Sequence, residues 1–194
     1  MPRAGLTNTV VVEEAERMID DAHAVPLTLA ALATRLGVKQ PSLYKHIDGL
    51  DDLRRSIAVR AKLELAAVMG RSAVGKAGRP AITAMSLAYR EWAAAHPGRY
   101  AATIRAPDGT DQADVAASLE ITKIAFEIMS SLGLNGDDAV DAIRALRAVL
   151  HGFVTLEAQG GFGLPVDIDR SFDRLLTSVV AGLAAWSTDG VRAG

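Results

Sequence analysis

Apolar residues recur at intervals of three and four almost from end to end of this 194-residue chain, a period that suits helices and not strands. Alanine is abundant and runs of β-branched residues are rare, which favours the same conformation. Glycine and proline supply the breaks, at Gly37, Gly49, His96-Pro97-Gly98, Ala106-Pro107-Asp108-Gly109, Gly133–Gly136 and Gly160–Pro165. The pattern predicts an all-α chain of about nine helices joined by short connections.

The first helix should open at Thr7, whose hydroxyl suits a helix cap, with Leu6 and Val11 placed to pack across it. Val11, Ala15, Met18, Ile19 and Ala22 then share one face. Thr28 is the next cap, for a short helix that runs to Leu36 and stops at Gly37. A second short helix covers Gln40–His46, with Pro41 suited to its first turn. A longer one starts at Leu50 and ends near Met69, with Leu53, Ile57, Leu63 and Leu65 as its apolar set. Arg71–Pro80 reads as a domain boundary. Beyond it lie a stripe of Ile82, Met85, Tyr89 and Trp92 and a broad apolar face over Asp111–Leu132, which implies burial against two neighbours. Two long amphipathic helices, around Val140–Phe153 and Phe172–Leu183, complete the chain. The division expected is a small helical domain over 1–48, a connecting helix over 49–70 and a helical body over 71–194.

Composition narrows the chemistry. The net charge of -2 means that contact with nucleic acid has to come from a local patch. Without cysteine there is no disulfide framework, thiolate nucleophile or Cys-based zinc site, which fits a reducing cytoplasm. No stretch is long and apolar enough to span a membrane, and Met1–Leu6 lacks a secretory pattern. His23, His46, His96 and His151 include no pair at helical spacing for a metal. Glu13-Glu14, Asp20-Asp21 and Asp51-Asp52 are adjacent and so diverge around a helix. Gly160-Gly161-Phe162-Gly163 has no lysine and no preceding strand to make a phosphate loop. No catalytic residue, metal or cofactor is expected.

The stretch Thr28–Ile47 is the most informative. Leu29, Leu32 and Ala33 lie on the inner face of its first helix, Gly37-Val38 makes a tight turn, and Leu43 holds the second helix against the first. The outer face of that second helix presents Lys39, Gln40, Ser42, Tyr44, Lys45 and His46, which can reach phosphates or base edges.

The run Leu32-Ala33, Leu36-Gly37-Val38 and Ser42-Leu43-Tyr44-Lys45-His46-Ile47 resembles the DNA-binding signature of the tetracycline-repressor (TetR) family. The resemblance implies DNA contact by Gln40, Pro41, Ser42, Tyr44, Lys45 and His46, and a phosphate contact at Thr28, where a helix N-terminus favours an anion. It departs from the family at Leu50, where a lysine commonly meets the DNA backbone and where Asp51 and Asp52 follow here. Residues 1–60 hold eight Lys/Arg against eight Asp/Glu, so a blanket attraction for phosphate is not expected, although Arg35, Lys39 and Lys45 cluster near the proposed surface.

The segment Ile143–Phe153, with Leu156-Glu157, Gly163-Leu164-Pro165 and Phe172-Asp173, resembles a C-terminal ligand domain of the same family, the Trp-His-Gly type, with Leu150 in place of the tryptophan before His151-Gly152. That resemblance implies a homodimer through the last two long helices, with Phe172, Leu176, Val179, Val180 and Leu183 suited to the interface; the alternative is that this seam closes the core of a single subunit. It also implies an apolar effector pocket, for which Met85, Tyr89, Trp92, Tyr100, Ile104, Phe126, Met129 and His151 are candidates, core packing being the other reading of each. The function so implied is a DNA-binding regulator, a repressor released from a near-palindromic double-stranded operator by a small effector. The alternative is a dimeric helical small-molecule-binding or protein-interaction module that does not bind DNA.

Overall fold

The computed structural model describes residues 5–21 and 26–189, so Ala22 and His23 lie outside the described residues. Among those described there is no strand. The helices are α1 (Asn8–Asp20), α2 (Leu29–Leu36), a 3-10 helix (Gln40–Lys45), α3 (Leu50–Ala73), α4 (Gly78–Ala95), α5 (Pro97–Thr103), α6 (Gln112–Ser131), α7 (Gly136–Ala158) and α8 (Ile168–Asp189). The all-α expectation holds.

Local chemistry sets the early boundaries. Thr7 Oγ1 accepts from the Val10 N–H at 3.2 Å and Thr28 Oγ1 from the Ala31 N–H at 3.1 Å, each satisfying a donor left over at a helix start. Gly37 has a φ of 68°, a left-handed conformation natural to glycine, and the next N–H, of Val38, returns to the Ala33 carbonyl at 3.0 Å. The second short helix is 3-10 and not α: it is six residues long, and the His46 N–H after it bonds the Leu43 carbonyl, three residues back. α3 continues past Met69 to Ala73, so the break inside the expected boundary narrows to Val74–Ala77.

The chain packs as two compact units, 1–63 with 95–118 and 64–94 with 119–194; α3, α4 and α6 each give residues to both. The first has a core of Val11, Val12, Ala15, Met18, Leu32, Ala33, Leu43, Ile47, Leu53 and Ile57. Against α1 lies the start of α5, so close that a Cβ on Gly98 would sit 2.0 Å from the Ile19 carbonyl oxygen. His96 gives α5 no side-chain cap. Asp20, at the end of α1, does it instead: its Oδ1 accepts from the Arg99 N–H at 2.8 Å and its Oδ2 from Arg99 Nε at 2.6 Å.

In the second unit Ile82, Met129, Leu134 and Phe172 are fully buried. Phe153 meets Phe172 edge-on at 4.9 Å, and the Arg90 guanidinium stands 4.7 Å from the Phe172 ring centre while donating to Glu157 and Asp169. Those carboxylates, Glu157 first, hold Arg90 above the usual guanidinium range. Two expectations of burial fail. Leu63 is exposed, and on α6 Leu119 (60%) and Phe126 (36%) face solvent while Ala125, Ile128 and Met129 are buried. The apolar period shows which positions share a face, not how many neighbours cover it.

Candidate nucleic-acid interface

The Thr28–Ile47 stretch is built from the inside outward. Leu32 and Ala33 of α2 and Leu43 and Ile47 at and beyond the 3-10 helix are buried in one core, which leaves the opposite face free. Lys39, Gln40, Pro41, Tyr44 and Lys45 are exposed, Ser42 and His46 half-buried, and Thr28 is exposed at the start of α2. Tyr44 is 54% exposed although its neighbour Leu43 is wholly buried. Thus the structure leaves the polar residues of Lys39–His46 open or half-open to solvent around the buried Leu43. Among the described residues, the side chains of Lys39, Gln40, Tyr44 and Lys45 have no hydrogen-bond or ion-pair partner in the chain.

That freedom contrasts with the charges around it. Glu14 pairs with Arg17 and, at 2.5 Å, with Arg35; Glu16 accepts from Arg60 Nε at 2.8 Å; Asp20 is held by Arg99. Of the acids that bring residues 1–60 to neutrality, Glu14, Glu16 and Asp20 of α1 are thus engaged by arginines. Of the three cations that the sequence places near the proposed surface, Arg35 is engaged, its Nε turned to Glu14. At the start of α3, Asp52 accepts from the Asp48 N–H at 3.1 Å and Asp51 lies 3.4 Å from Arg54, so this helix end is acidic where the family places a lysine. A further tie was not foreseen. Asn8 donates from Nδ2 to the His46 carbonyl at 2.8 Å, a link across 38 residues that leaves no local signal.

A cleft of about 980 Å³ lies in the first unit, between α3, the end of α5 and the start of α6. Its lining is charged and cross-linked: Arg55 donates to Asp111, with Nη2 to Oδ1 at 2.6 Å, and Lys62 to Asp114 at 2.6 Å. The hydrogen bonds from Arg55 hold the Asp111 carboxyl down to about 2. This is not the apolar pocket expected from the sequence. Of the candidates for that pocket, Met85, Tyr89, Trp92 and Met129 are buried in the second unit, His151 is half-buried there, and Phe126 is exposed. Tyr100, buried, and Ile104, half-buried, belong to the first. Of the residues assigned to a dimer interface, Phe172, Leu176, Val180 and Leu183 are buried within the single chain, and only Val179 is partly open.

A capped helix, a glycine turn and a second short helix held by buried Leu43 form a helix-turn-helix, with a polar face turned outward. Comparison with known proteins places it. The family profile described as "Tetracyclin repressor-like, C-terminal domain" matches residues 82–179. The chain is 37% identical over 188 residues to the HTH-type transcriptional regulator Rv0681 of Mycobacterium tuberculosis, covering 96% of this chain and 86% of that protein. It is 32% identical over 183 residues to the HTH-type transcriptional regulator YobS of Bacillus subtilis, covering 94% and 95%. The structure of the TetR-family protein ActR of Streptomyces coelicolor with (S)-DNPA matches at a TM-score of 0.66 and 20% identity, over 94% of this chain and 98% of that one. A TetR variant from Acinetobacter baumannii with minocycline matches at 0.71 and 22%, over 94% and 99%. The chain belongs to the TetR family. It is a DNA-binding transcriptional regulator, in a family of regulators and not of enzymes. No helix among the described residues is long and apolar enough to cross a membrane.

Proposed function

We propose that this regulator is a cytoplasmic homodimeric repressor that grips a near-palindromic operator through Thr28 and the Lys39–His46 face, and lets go when a small apolar or amphipathic molecule binds its body. The observation that carries the reading is the face itself: Lys39, Gln40, Tyr44 and Lys45, whose side chains have no partner among the described residues, fixed from below by Leu43 and Ile47. Residues 1–48 would read DNA, 49–70 connect, and 71–194 sense the effector and dimerise. Two half-sites one helical turn apart need two copies of the reader. Because four residues of the α8 seam are buried in their own subunit, a partner would meet Val179 with the outward Ser178, Ala181, Gly182 and Trp186 of α8. The effector would sit among Met85, Tyr89, Trp92 and Met129, whose adaptable and flat side chains suit an apolar guest. ActR and the A. baumannii TetR variant, crystallised with small molecules, lend support by analogy. Release requires that the effector prefer a conformation whose recognition helices no longer match successive major grooves.

Selection from a random duplex pool tests the DNA half of this reading, with a two-fold symmetric motif as the expected product. On the selected duplex, Tyr44→Ala should cost roughly 1–3 kcal/mol of binding. Lys45→Ala should weaken all duplexes alike and lower the salt slope by about one unit. Unchanged binding in both folded variants removes this face from the interface.

A further inference from the structure

The 3-10 helix that presents Tyr44 and Lys45, with His46 just after it, is about two turns of backbone, with Leu43 as its only buried side chain. A second tie acts at its far end, where Asn8 donates from Nδ2 to the His46 carbonyl at 2.8 Å. Carbonyls at the end of a short helix have no partner within it, so this bond satisfies an oxygen that would otherwise turn to water. Asn8 is itself on firm ground. Thr7 caps the helix that Asn8 opens, and Val11 and Val12, one turn on, share a core with Leu43 and Ile47. The bond therefore joins the start of α1 to the end of the recognition helix over a common apolar base.

We propose that Asn8 is a positioning residue for operator readout: it sets the pitch of the Tyr44–His46 end of the recognition helix, and so governs discrimination between sequences and not general affinity for DNA. The inference rests on the reading that Lys39–His46 faces the operator. Base edges are read by hydrogen bonds whose geometry tolerates small displacement only, whereas lysine contacts to phosphate are long, flexible and indifferent to sequence. A recognition helix free to tilt at one end loses the first kind of contact and keeps the second. Asn8 is exposed, so its amide can be removed without opening the core.

The test uses the intact protein as wild type, Asn8→Ala, Asn8→Gln and Tyr44→Ala, with two duplexes: one selected by the wild type from a random pool, and a scrambled one of equal length. Asn8→Ala should weaken the selected duplex about 5- to 20-fold, the loss of one good base contact. The scrambled duplex should be bound within about twofold of wild type, because its phosphate contacts persist. Asn8→Gln, which keeps the donor, should recover part of the discrimination. Equal weakening on both duplexes would make Asn8 a phosphate contact and overturn the proposal, as would an unchanged ratio or a large fall in the thermal midpoint. Tyr44→Ala separates the two levels. If it narrows the ratio while Asn8→Ala does not, the positioning role alone fails; if neither narrows it, the recognition face is misassigned and the proposal falls with it.

Discussion

In the first unit the ion pairs lie around a small apolar core and join segments far apart in sequence: Glu16 to Arg60, Asp20 to Arg99, Arg55 to Asp111 and Lys62 to Asp114. In the second unit Arg144 meets Asp141 three residues away on the same helix, while Arg90 gathers Glu157 and Asp169 beside the rings of Phe153 and Phe172, among long apolar helices. The difference shows what each unit relies on. A unit cross-linked by charge responds to pH and to the removal of one partner; a unit held by packing responds to lost volume. It also shows how an acidic chain keeps open cations on its surface: acids of α1 are engaged by arginines, while Lys39 and Lys45 have no partner among the described residues.

The largest expected effect strikes the packed unit. Phe172 is 0% exposed, and Phe172→Ala should cost about 3–5 kcal/mol in chemical unfolding through the cavity it leaves. A loss below about 1 kcal/mol would mean that the helices there close up freely, and the contrast between the units would break. Next comes the most buried charge of the first unit. Lys62 is 2% exposed, and Lys62→Ala should cost about 3 kcal/mol by leaving Asp114 unpaired. Pairing Lys62→Met with Asp114→Leu should restore most of that stability, since two apolar side chains need no counter-charge. A double variant as unstable as the single one would assign the loss to packing instead of charge.

The smallest effect concerns Asp111. Its carboxyl is held at about 2, below the ordinary unfolded value near 3.9, so its bond to Arg55 favours the folded chain above about pH 4 and loses that contribution as pH falls towards 2. Arg55→Gln should return Asp111 towards the ordinary range, followed by carboxyl NMR, and should flatten the pH dependence of stability between pH 2 and 4. An unmoved titration would show that the backbone N–H groups of Ala113 and Asp114 hold the carboxylate without Arg55.

What was legible in the chain was local. Thr7 and Thr28 cap because the donors they satisfy lie three residues away, and Gly37 ends α2 because its own backbone must turn left-handed. The exposure of Tyr44 and Lys45 was legible as well, since they follow the buried Leu43. What escaped was non-local. Asn8 to His46 spans 38 residues and Asp20 to Arg99 spans 79, and no period or motif announces either. The α8 seam escaped for another reason: a helical stripe such as Phe172–Leu183 states that one face is covered, not whether the cover is the same chain or another.

The cap that Asp20 places on α5 carries a consequence for how the protein is born. The carboxylate that closes the start of α5 stands 79 residues earlier, and the unit that holds the recognition helix is completed by residues 95–118. A ribosome adding about 5–20 residues per second needs roughly 3–11 s to go from residue 63 to residue 118. During that interval the nascent helix-turn-helix has its own small core but lacks Arg99, Asp111 and Asp114, the strap that later pins α1 and α3. The unit that holds the helix-turn-helix is thus begun before α4, yet it is finished only after α4 has been made.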